Sequence, residues 1–427
     1  MDTIFALATV RGRSGVAVIR ISGDKAFVAA EALMHRLPPV GQPGLRRLLD
    51  GNGEVIDEAL VHRFAGPRSF TGEDVVELHL HGSPAVIAAI EKLLSRTGLV
   101  RHAEPGEFTR RALQNEKLDL AQVEGLGDLL QAETEAQRRQ AMRLLQGRLG
   151  RCAEMWRGKL LRSAALVEAT IDFADEEVPV EVLPEVSDLL TDVQKSLRQE
   201  IEGSKVAERV RDGFVVAILG APNAGKSTLL NHIAGRDVAI TSDIAGTTRD
   251  ILEVRLDLKG VPVTLLDTAG LRESADEIEK IGVERTKARA READLRILLL
   301  SAADSARPDV MQAGDIVVQG KADLCNGPGV SGVTGKGVDE LLEAVHGKLS
   351  DRMAGIGTAT HERHRASMEE ASGAIDQALS YLEEMPEAPE IAAEQMRVAM
   401  RALDSLTGRI DVEAILGEIF SSFCIGK

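Results

Sequence analysis

The stretch that decides the fold is "GAPNAGKS", Gly220 to Ser227. It fits the pattern G-x-x-x-x-G-K-[ST], follows the apolar run "VVAIL" and precedes "TLLNHIAG", which is compatible with a helix. In such a loop the backbone N–H groups surround phosphates, while Lys226 supplies a point charge and Ser227 offers a hydroxyl to Mg²⁺. A strand, a glycine-rich loop and a helix in this order predict a phosphate-binding loop.

Two motifs that respond to a third phosphate follow further along the chain. "GTT", Gly246 to Thr248, offers in Thr248 a hydroxyl that ligates Mg²⁺ while a γ-phosphate is present. "DTAG", Asp267 to Gly270, ends the apolar strand "VPVTLL". Its aspartate can hold a water on Mg²⁺, and its last N–H can reach the γ-phosphate.

A base-reading motif completes the set. "GKAD", Gly320 to Asp323, ends the strand "DIVVQ". The carboxylate of Asp323 can accept hydrogen bonds from N1 and N2 of guanine, and adenine offers nothing equivalent. These motifs resemble the GTPase set and indicate Mg²⁺-dependent binding of GTP.

The set departs from the usual pattern at three places. Gly320 stands where Asn is usual, and because that Asn ties the phosphate loop to the base loop, we expect weaker nucleotide binding. The closing motif has Ser331 and Gly332 in place of Ser-Ala, and should still offer backbone N–H groups to the base.

The third departure is Leu271, which follows "DTAG" at the position where signalling GTPases place the glutamine that orients water. The candidates to orient water instead are four downstream carboxylates, those of Glu273, Asp276, Glu277 and Glu279.

Composition describes a globular protein of about three folding units, because the 427 residues are 44% hydrophobic and 28% charged. The N-terminus lacks a basic leader and no apolar run approaches a membrane span, so we expect a cytoplasmic protein without a membrane contact. Cys152, Cys325 and Cys424 have no CxxC spacing, which favours free thiols.

The distribution of charge gives conflicting indications about nucleic-acid binding. The formal net charge of −16 argues against a surface coated for nucleic-acid binding. The stretch from Arg138 to Arg162 nevertheless holds eight basic residues opposed only by Glu154. It is either a solvated helix face or a contact for a polyanion.

The order of patterns predicts four segments. Residues 1–115 alternate β-rich and helical runs, and residues 116–210 contain long helices, since no proline occurs between Pro105 and Pro179. Residues 211–350 interleave apolar strands with helices, the pattern of a doubly wound α/β module. Residues 351–427 return to helix. The fold class is therefore multidomain α/β plus all-α, with one helical domain interrupted by an inserted P-loop GTPase module.

Several longer strings carry a family resemblance. "GAPNAGKSTLLN", "DIAGTTRD", "DTAGLRESADEIEKIGVER", "FTGEDVVELHLHG", "RRALQNEKLDLAQVEGLGDLL" and the terminal "FCIGK" resemble the MnmE (TrmE) family of tRNA modification GTPases. The resemblance spans essentially the full chain.

The resemblance implies a function and partners. Family members, with the flavoprotein MnmG (GidA), add an aminomethyl or carboxymethylaminomethyl group to C5 of the wobble uridine of certain tRNAs. The carbon comes from a tetrahydrofolate derivative, 5-formyl- or methylene-tetrahydrofolate, and the FAD resides on the partner. The resemblance implies that the N-terminal domain binds folate and forms a homodimer.

The resemblance also implies residue roles. Asn223 would coordinate K⁺, with Ser242, Ile244 and Thr247, and Glu279 would position the attacking water. Folate would contact Arg20, Glu77, Lys117 and Lys427, and Cys424 would be either a catalytic thiol or an idle, packed one. The residues expected to bind GTP are Asn223, Ala224, Gly225, Lys226, Ser227, Thr228, Ser242, Asp243, Ile244, Ala245, Gly246, Thr247, Thr248, Asp267, Thr268, Ala269, Gly270, Lys321 and Asp323.

Two other functions share some of these features. A ribosome-assembly GTPase would carry the same nucleotide motifs, but it should add a basic RNA-binding appendage, which this chain lacks. A membrane-tethered signalling GTPase could be prenylated at Cys424. Gly426 and Lys427 do not fit the sequence that the transferases favour.

Overall fold

The computed structural model describes residues 2–172, 182–236, 238–240, 253–267, 288–301, 308–324, 327–409 and 426. The chain divides into two compact units. The first contains Met1–Gly127, Gly150–Glu154 and Leu403–Lys427, and the second contains Asp128–Leu149 and Met155–Ala402.

The first unit is built on a six-stranded sheet. Its strands are β1 (Thr3–Leu7), β2 (Ser14–Ser22), β3 (Gly44–Leu49), β4 (Val55–Phe64), β5 (Val75–Gly82) and β6 (Val100–His102). They lie in the order β3-β4-β5-β2-β1-β6. All neighbours are antiparallel except β1 and β6. The helices are α1 (Ala26–Glu31), α2 (Pro84–Arg96) and α3 (Glu107–Gln114), and α4 (Leu120–Gln131) follows them.

Strand β5 shows why this sheet has one apolar face. Its buried Val76, Leu78 and Leu80 alternate with the more exposed Glu77 and His79. Successive side chains of a strand point to opposite faces. The apolar set joins the core that includes residues of α1 and α2, and the polar set is left on the other face.

A buried ion network fixes α3 beside the loop before β5. The Arg111 guanidinium donates to both carboxylate oxygens of Glu73 at 3.1 Å, to Asp2 Oδ1 at 2.9 Å and to Glu107 Oε1 at 2.9 Å. Burial raises the pKa of Glu107, but hydrogen bonds from Arg101, from a backbone N–H and from Arg111 outweigh it and hold that pKa below its ordinary value. The network thereby ties the N-terminus, α3 and residue 73 together.

The second unit contains long helices on both sides of an α/β region. These are α5 (Glu135–Leu145), α6 (Arg148–Asp172), α7 (Val182–Asp212), α10 (Glu362–Glu384) and α11 (Pro389–Thr407). Residues 150–154 of α6 and 403–407 of α11 belong to the first unit. Gln194 of α7 donates to Ser372 O of α10 at 3.0 Å and accepts from the Ser372 hydroxyl at 2.9 Å. Since α7 precedes the α/β region and α10 follows it, the prediction of an interrupted helical domain is confirmed.

The α/β region holds a five-stranded sheet. Its strands are β7 (Phe214–Gly220), β8 (Glu253–Leu258), β9 (Val261–Asp267), β10 (Leu295–Leu300) and β11 (Ile316–Gln319), with helices α8 (Lys226–Ala234) and α9 (Val338–Arg352). The order is β11-β10-β7-β9-β8. Four strands are parallel as predicted. The fold class is thus confirmed, while the domain limits at residues 115, 210 and 350 remain predictions.

Strand β8 was absent from the sequence prediction. It pairs antiparallel with β9 through the two residues Lys259 and Gly260, whose φ angles are 52° and 92°. Two consecutive positive φ values are what a two-residue hairpin turn requires. The turn signal "KG" was the clue that an antiparallel edge strand precedes "VPVTLLD".

At least four of the eight basic residues between Arg138 and Arg162 form ion pairs with acids. Arg138 and Arg139 both bond to Glu135, at 2.7 and 2.6 Å. Lys159 and Arg162 bond to acids of α7, each at 3.2 Å. These contacts favour the interpretation of a solvated helix face. No helix within the described ranges is both long enough and apolar enough to span a membrane.

We predict that Arg111→Met lowers the free energy of unfolding by about 3 kcal/mol, because a buried carboxylate loses its partner. Urea unfolding followed by circular dichroism measures this. The control Arg110→Met alters a partly exposed neighbour whose ion pair is longer, 3.4 Å, and should change stability by less than about 0.5 kcal/mol. Equal losses in the two variants would contradict the prediction.

Candidate functional site

The site forms at one edge of the parallel sheet. Strand β7 lies between β9 and β10, and Ile218 of β7 is in register with Asp267 while Gly220 is in register with Leu299. The carboxyl ends of parallel strands meet at the same edge. The phosphate loop, the first residue of "DTAG" and the end of β10 therefore arrive together.

The phosphate loop has the backbone shape that its sequence predicted. Asn223 and Gly225 have φ angles of 62° and 100°, and Gly225 is the N-cap of α8. Left-handed residues in a tight loop turn successive N–H groups toward a common point, and a helix N-terminus adds a partial positive charge. This loop can therefore bind an anion through its backbone.

Lys226 lies inside the loop. Its side-chain Nζ donates to Gly220 O at 2.8 Å and to Ala221 O at 3.0 Å, and the residue is 6% exposed. Burial lowers the pKa of Lys226, and the charge of Asp267 opposes that change only in part. The structure thus places a buried cation where the motif predicts one.

Ser227 and Asp267 bring together a hydroxyl and a carboxylate of the kind found at Mg²⁺ sites. The Ser227 hydroxyl donates to Asp267 Oδ2 at 2.6 Å, and Asp267 is 6% exposed. Mg²⁺ is held by few protein oxygens together with waters and phosphate oxygens. This donor set fits it. In the part of the chain that the structure describes, no three His, Cys, Asp or Glu residues cluster as metal ligands.

A cavity of about 130 Å³ joins the phosphate loop to the base-reading motif. Its lining comprises Ala224, Gly225, Thr228, Leu229, Leu299, Gly320, Lys321, Asp323, Leu324, Val330, Ser331, Gly332 and Val333. The stem of Lys321 passes over the loop, because a Cβ atom at position 225 would lie 3.8 Å from its Cγ. Five residues predicted to bind GTP therefore line one cavity, namely Ala224, Gly225, Thr228, Lys321 and Asp323, and the predicted Asn223, Lys226 and Ser227 belong to the same loop.

Ser331 positions the Asp323 carboxylate. Its hydroxyl oxygen accepts from the N–H groups of Val333 and Thr334, both at 3.2 Å. A hydrogen bond from that hydroxyl is the main reason that the pKa of Asp323 lies below its ordinary value. The sequence of the closing motif predicted only that its backbone N–H groups would contact the base. The serine side chain, which is 1% exposed, was the missed part.

Two aliphatic side chains at the cavity were also missed. Leu324 is 76% exposed and Val333 is 73% exposed, although both line the cavity. Large apolar side chains that are exposed to solvent beside a concave polar site can pack against the two faces of a planar ring. Their loop position next to the base-reading carboxylate was the only sequence signal.

A second group of predicted residues lies in the first unit. Arg20 and Glu77 face each other across β2 and β5 and are joined at 2.8 Å, and the guanidinium lies 5.4 Å from the Phe70 ring centre. Lys117 contacts the same loop, since a Cβ atom at position 72 would lie 3.4 Å from its Cγ. Loop 70–73 thus lies against Arg20 and Lys117, two of the three predicted cations. His79, 3.4 Å from Glu77, was not predicted.

The terminal motif has one described residue, Gly426. A Cβ atom there would lie 2.2 Å from Leu7 O, so the glycine is in close contact with the end of β1. Leu7 is in register with Ile19, the neighbour of Arg20 in β2. Gly426 therefore lies near the strand that carries Arg20.

The remaining predicted site residues lie outside the described residues. They are Ser242, Asp243, Ile244, Ala245, Gly246, Thr247, Thr248, Thr268, Ala269, Gly270, Glu273, Asp276, Glu277, Glu279, Cys424 and Lys427. Their roles remain predictions.

Two family models match the chain in succession. Residues 3–117 match the model of the GTP-binding protein TrmE N-terminus. Residues 120–424 match the model of the MnmE helical domain. Together they account for both units described above.

Curated relatives match over the whole length. The tRNA modification GTPase MnmE of Cereibacter sphaeroides is 57% identical over 429 residues, covering 100% of both chains. The protein of that name from Roseobacter denitrificans is 56% identical, again with 100% of both chains covered. The one from Paracoccus denitrificans is 51% identical at the same coverage. The chain belongs to the family of the tRNA modification GTPase MnmE.

Proposed function

We propose that this chain uses GTP hydrolysis to support modification of C5 of the wobble uridine of certain tRNAs. The group added is aminomethyl or carboxymethylaminomethyl. The observation that carries the proposal is the cavity that joins Asp323, whose pKa is lowered chiefly by a hydrogen bond from Ser331, to a phosphate loop that contains the buried Lys226. Full-length identity to relatives named tRNA modification GTPases supports the rest.

Each part of the nucleotide site has its own role. Asp323 accepts from N1 and N2 of guanine, and the exposed Leu324 and Val333 cover the ring faces. The loop N–H groups and Lys226 bind the β- and γ-phosphates. Ser227 and Thr248 would hold Mg²⁺, which would supply neutralisation of phosphate charge, and the Asp267 carboxylate would accept a hydrogen bond from water at that site.

Hydrolysis needs two groups that the common GTPase pattern does not supply here. Leu271 cannot orient water, so Glu279 takes that role. Asn223, exposed and on the phosphate loop, offers an amide oxygen to K⁺ together with Ser242, Ile244 and Thr247. A cation placed there offsets charge that accumulates on the phosphates in the transition state.

The first unit binds the one-carbon donor, a tetrahydrofolate derivative. Glu77 accepts N–H groups of the pterin ring, while Arg20, Lys117 and Lys427 bind its anionic and carbonyl oxygens. What supports this is that Arg20 and Lys117 contact the same loop, 70–73, and that Gly426 lies close to β1. Cys424 would then be a thiol near the carbon donor.

The chain acts with partners. It forms a homodimer and works with the flavoprotein MnmG, which carries the FAD and much of the tRNA contact. The formal net charge of −16 is consistent with that division of labour, since a protein that alone held tRNA would need a basic surface. GTP and tRNA are its substrates under this proposal.

We predict that cells lacking this chain lose the C5 modification of the wobble uridine, as measured by mass spectrometry of tRNA nucleosides. The unsubstituted chain should restore it. Cys424→Ser should hydrolyse GTP normally and fail to restore it. An unchanged wobble uridine in the deletion strain would reject the tRNA function and leave the GTPase intact.

We predict that K⁺ raises the rate of GTP hydrolysis at least about tenfold over Na⁺, because one well-placed charge contributes that much or more. Asn223→Ala should abolish the difference, and Asn231→Ala, an exposed residue of α8, should preserve it. Glu279→Ala should bind GTP but hydrolyse it slowly in both salts. Equal rates of the unsubstituted protein in K⁺ and Na⁺ would contradict the K⁺ site.

We predict that Glu77→Gln weakens binding of 5-formyltetrahydrofolate by about tenfold or more, since a charged acceptor is lost. Calorimetric titration measures the affinity. The control Glu58→Gln alters another cross-strand Arg–Glu pair, that with Arg47 at 2.7 Å on the exposed part of the sheet, and should bind normally. Equal weakening by both variants would indicate a general effect on the sheet.

A further inference from the structure

Gly320 is in close contact with the phosphate loop. A Cβ atom at this position would lie 2.7 Å from Ala224 O and 3.3 Å from Leu300 O. The first distance is shorter than any that a real Cβ atom tolerates. The Ala224 carbonyl therefore occupies the space from which the usual Asn side chain would extend.

Gly332, the other departure in the base-binding motifs, makes the same kind of contact. A Cβ atom there would lie 2.5 Å from Leu229 N and 2.5 Å from Thr228 C. The closing motif thus lies directly on the backbone of α8, and the usual Ala would not fit. Both departures allow a base-binding loop to approach the phosphate-binding backbone.

Gln319 supplies an amide at the neighbouring position. Its Nε2 donates to Leu300 O at 3.0 Å and to Gly320 O at 3.1 Å, and its backbone carbonyl accepts from Val330 N at 2.8 Å. One residue thereby joins the end of β10, the base-reading motif and the segment that leads to Ser331.

We propose that Gln319 is the positioning residue of the guanine site and that close packing at Gly320 and Gly332 replaces the asparagine tether. The proposal rests on the proposed guanine-nucleotide site and deepens it. Asp323 is three residues beyond Gly320, so a displacement at Gly320 moves the carboxylate relative to the phosphate loop. Restoring the usual Asn therefore weakens guanine binding in this chain.

The test compares binding of GDP and of IDP, whose base lacks the N2 amino group. Gly320→Ala and Gly320→Asn should each weaken GDP binding about tenfold or more, the worth of one hydrogen bond to a charged group. The ratio of GDP to IDP affinity should fall toward one, because Asp323 no longer meets both N–H groups. A loss of folded protein would lower the binding amplitude and leave that ratio unchanged.

Two further variants sharpen the test. Gln319→Glu keeps the side-chain volume and replaces the donor by a carboxylate facing two carbonyls, so the GDP to IDP ratio should fall here too. If a Gly320 variant does not fold, the ratio measured for Gln319→Glu decides the proposal. Gly327→Ala is the matched control, because a Cβ atom there meets nothing within 4 Å, and it should bind both nucleotides normally.

Two results would overturn this proposal and leave the proposed nucleotide site intact. One is a Gly320→Asn variant that binds GDP as tightly as the unsubstituted chain or more tightly. The other is an unchanged GDP to IDP ratio in Gln319→Glu. Failure of the unsubstituted chain to bind GDP would overturn the proposed nucleotide site as well.

Discussion

The parallel pairing of β7 with β9 and β10 is the constraint on which the nucleotide site depends. These strands are held by a core that includes Val216, Ile218, Leu265 and Ile297. The opposite face is also apolar, with Ala217, Leu219 and Leu298 in a second core, so a slip of one residue in either pairing would exchange side chains between two closely packed layers. The register is therefore fixed by packing, and it sets Asp267 beside Ser227 and the end of β10 beside the loop.

The helical region holds the α/β region at several points of the second unit. The cap of α5 is a reciprocal pair between Thr134 and Gln137, and the Gln137 amide donates to Arg211 O at 2.9 Å where α7 ends. Ala136 N donates to Gly260 O at 3.1 Å in the β8–β9 turn. The end of α7, which leads into β7, and the hairpin at the sheet edge are thus both bonded to α5.

Motifs defined by local geometry could be predicted from the sequence. The phosphate loop, the strand that ends in Asp267 and the loop position of Asp323 follow from spacing and flanking apolar runs, because a strand, a loop and a helix in succession leave few arrangements. The interrupted helical domain could also be predicted, since helical patterns stand on both sides of the module.

Features that depend on contacts between residues far apart in the sequence could not be predicted. The pairing of Arg20 with Glu77 requires the strand register, and the position of Ser331 under Asp323 requires the fold of two loops. Gly320 in the sequence indicated a lost tether, whereas the structure shows backbone contact there, with the Gln319 amide beside it.

Under the proposed function, this edge of the sheet binds the guanine base and the phosphates together. Displacement of a fluorescent GDP analogue by unlabelled GTP, GDP, ATP and ADP tests it most directly. We expect displacement by GTP and GDP, with ATP and ADP at least about a hundredfold weaker, because adenine offers Asp323 no paired N–H groups. Equal displacement by adenine and guanine nucleotides would contradict the claim.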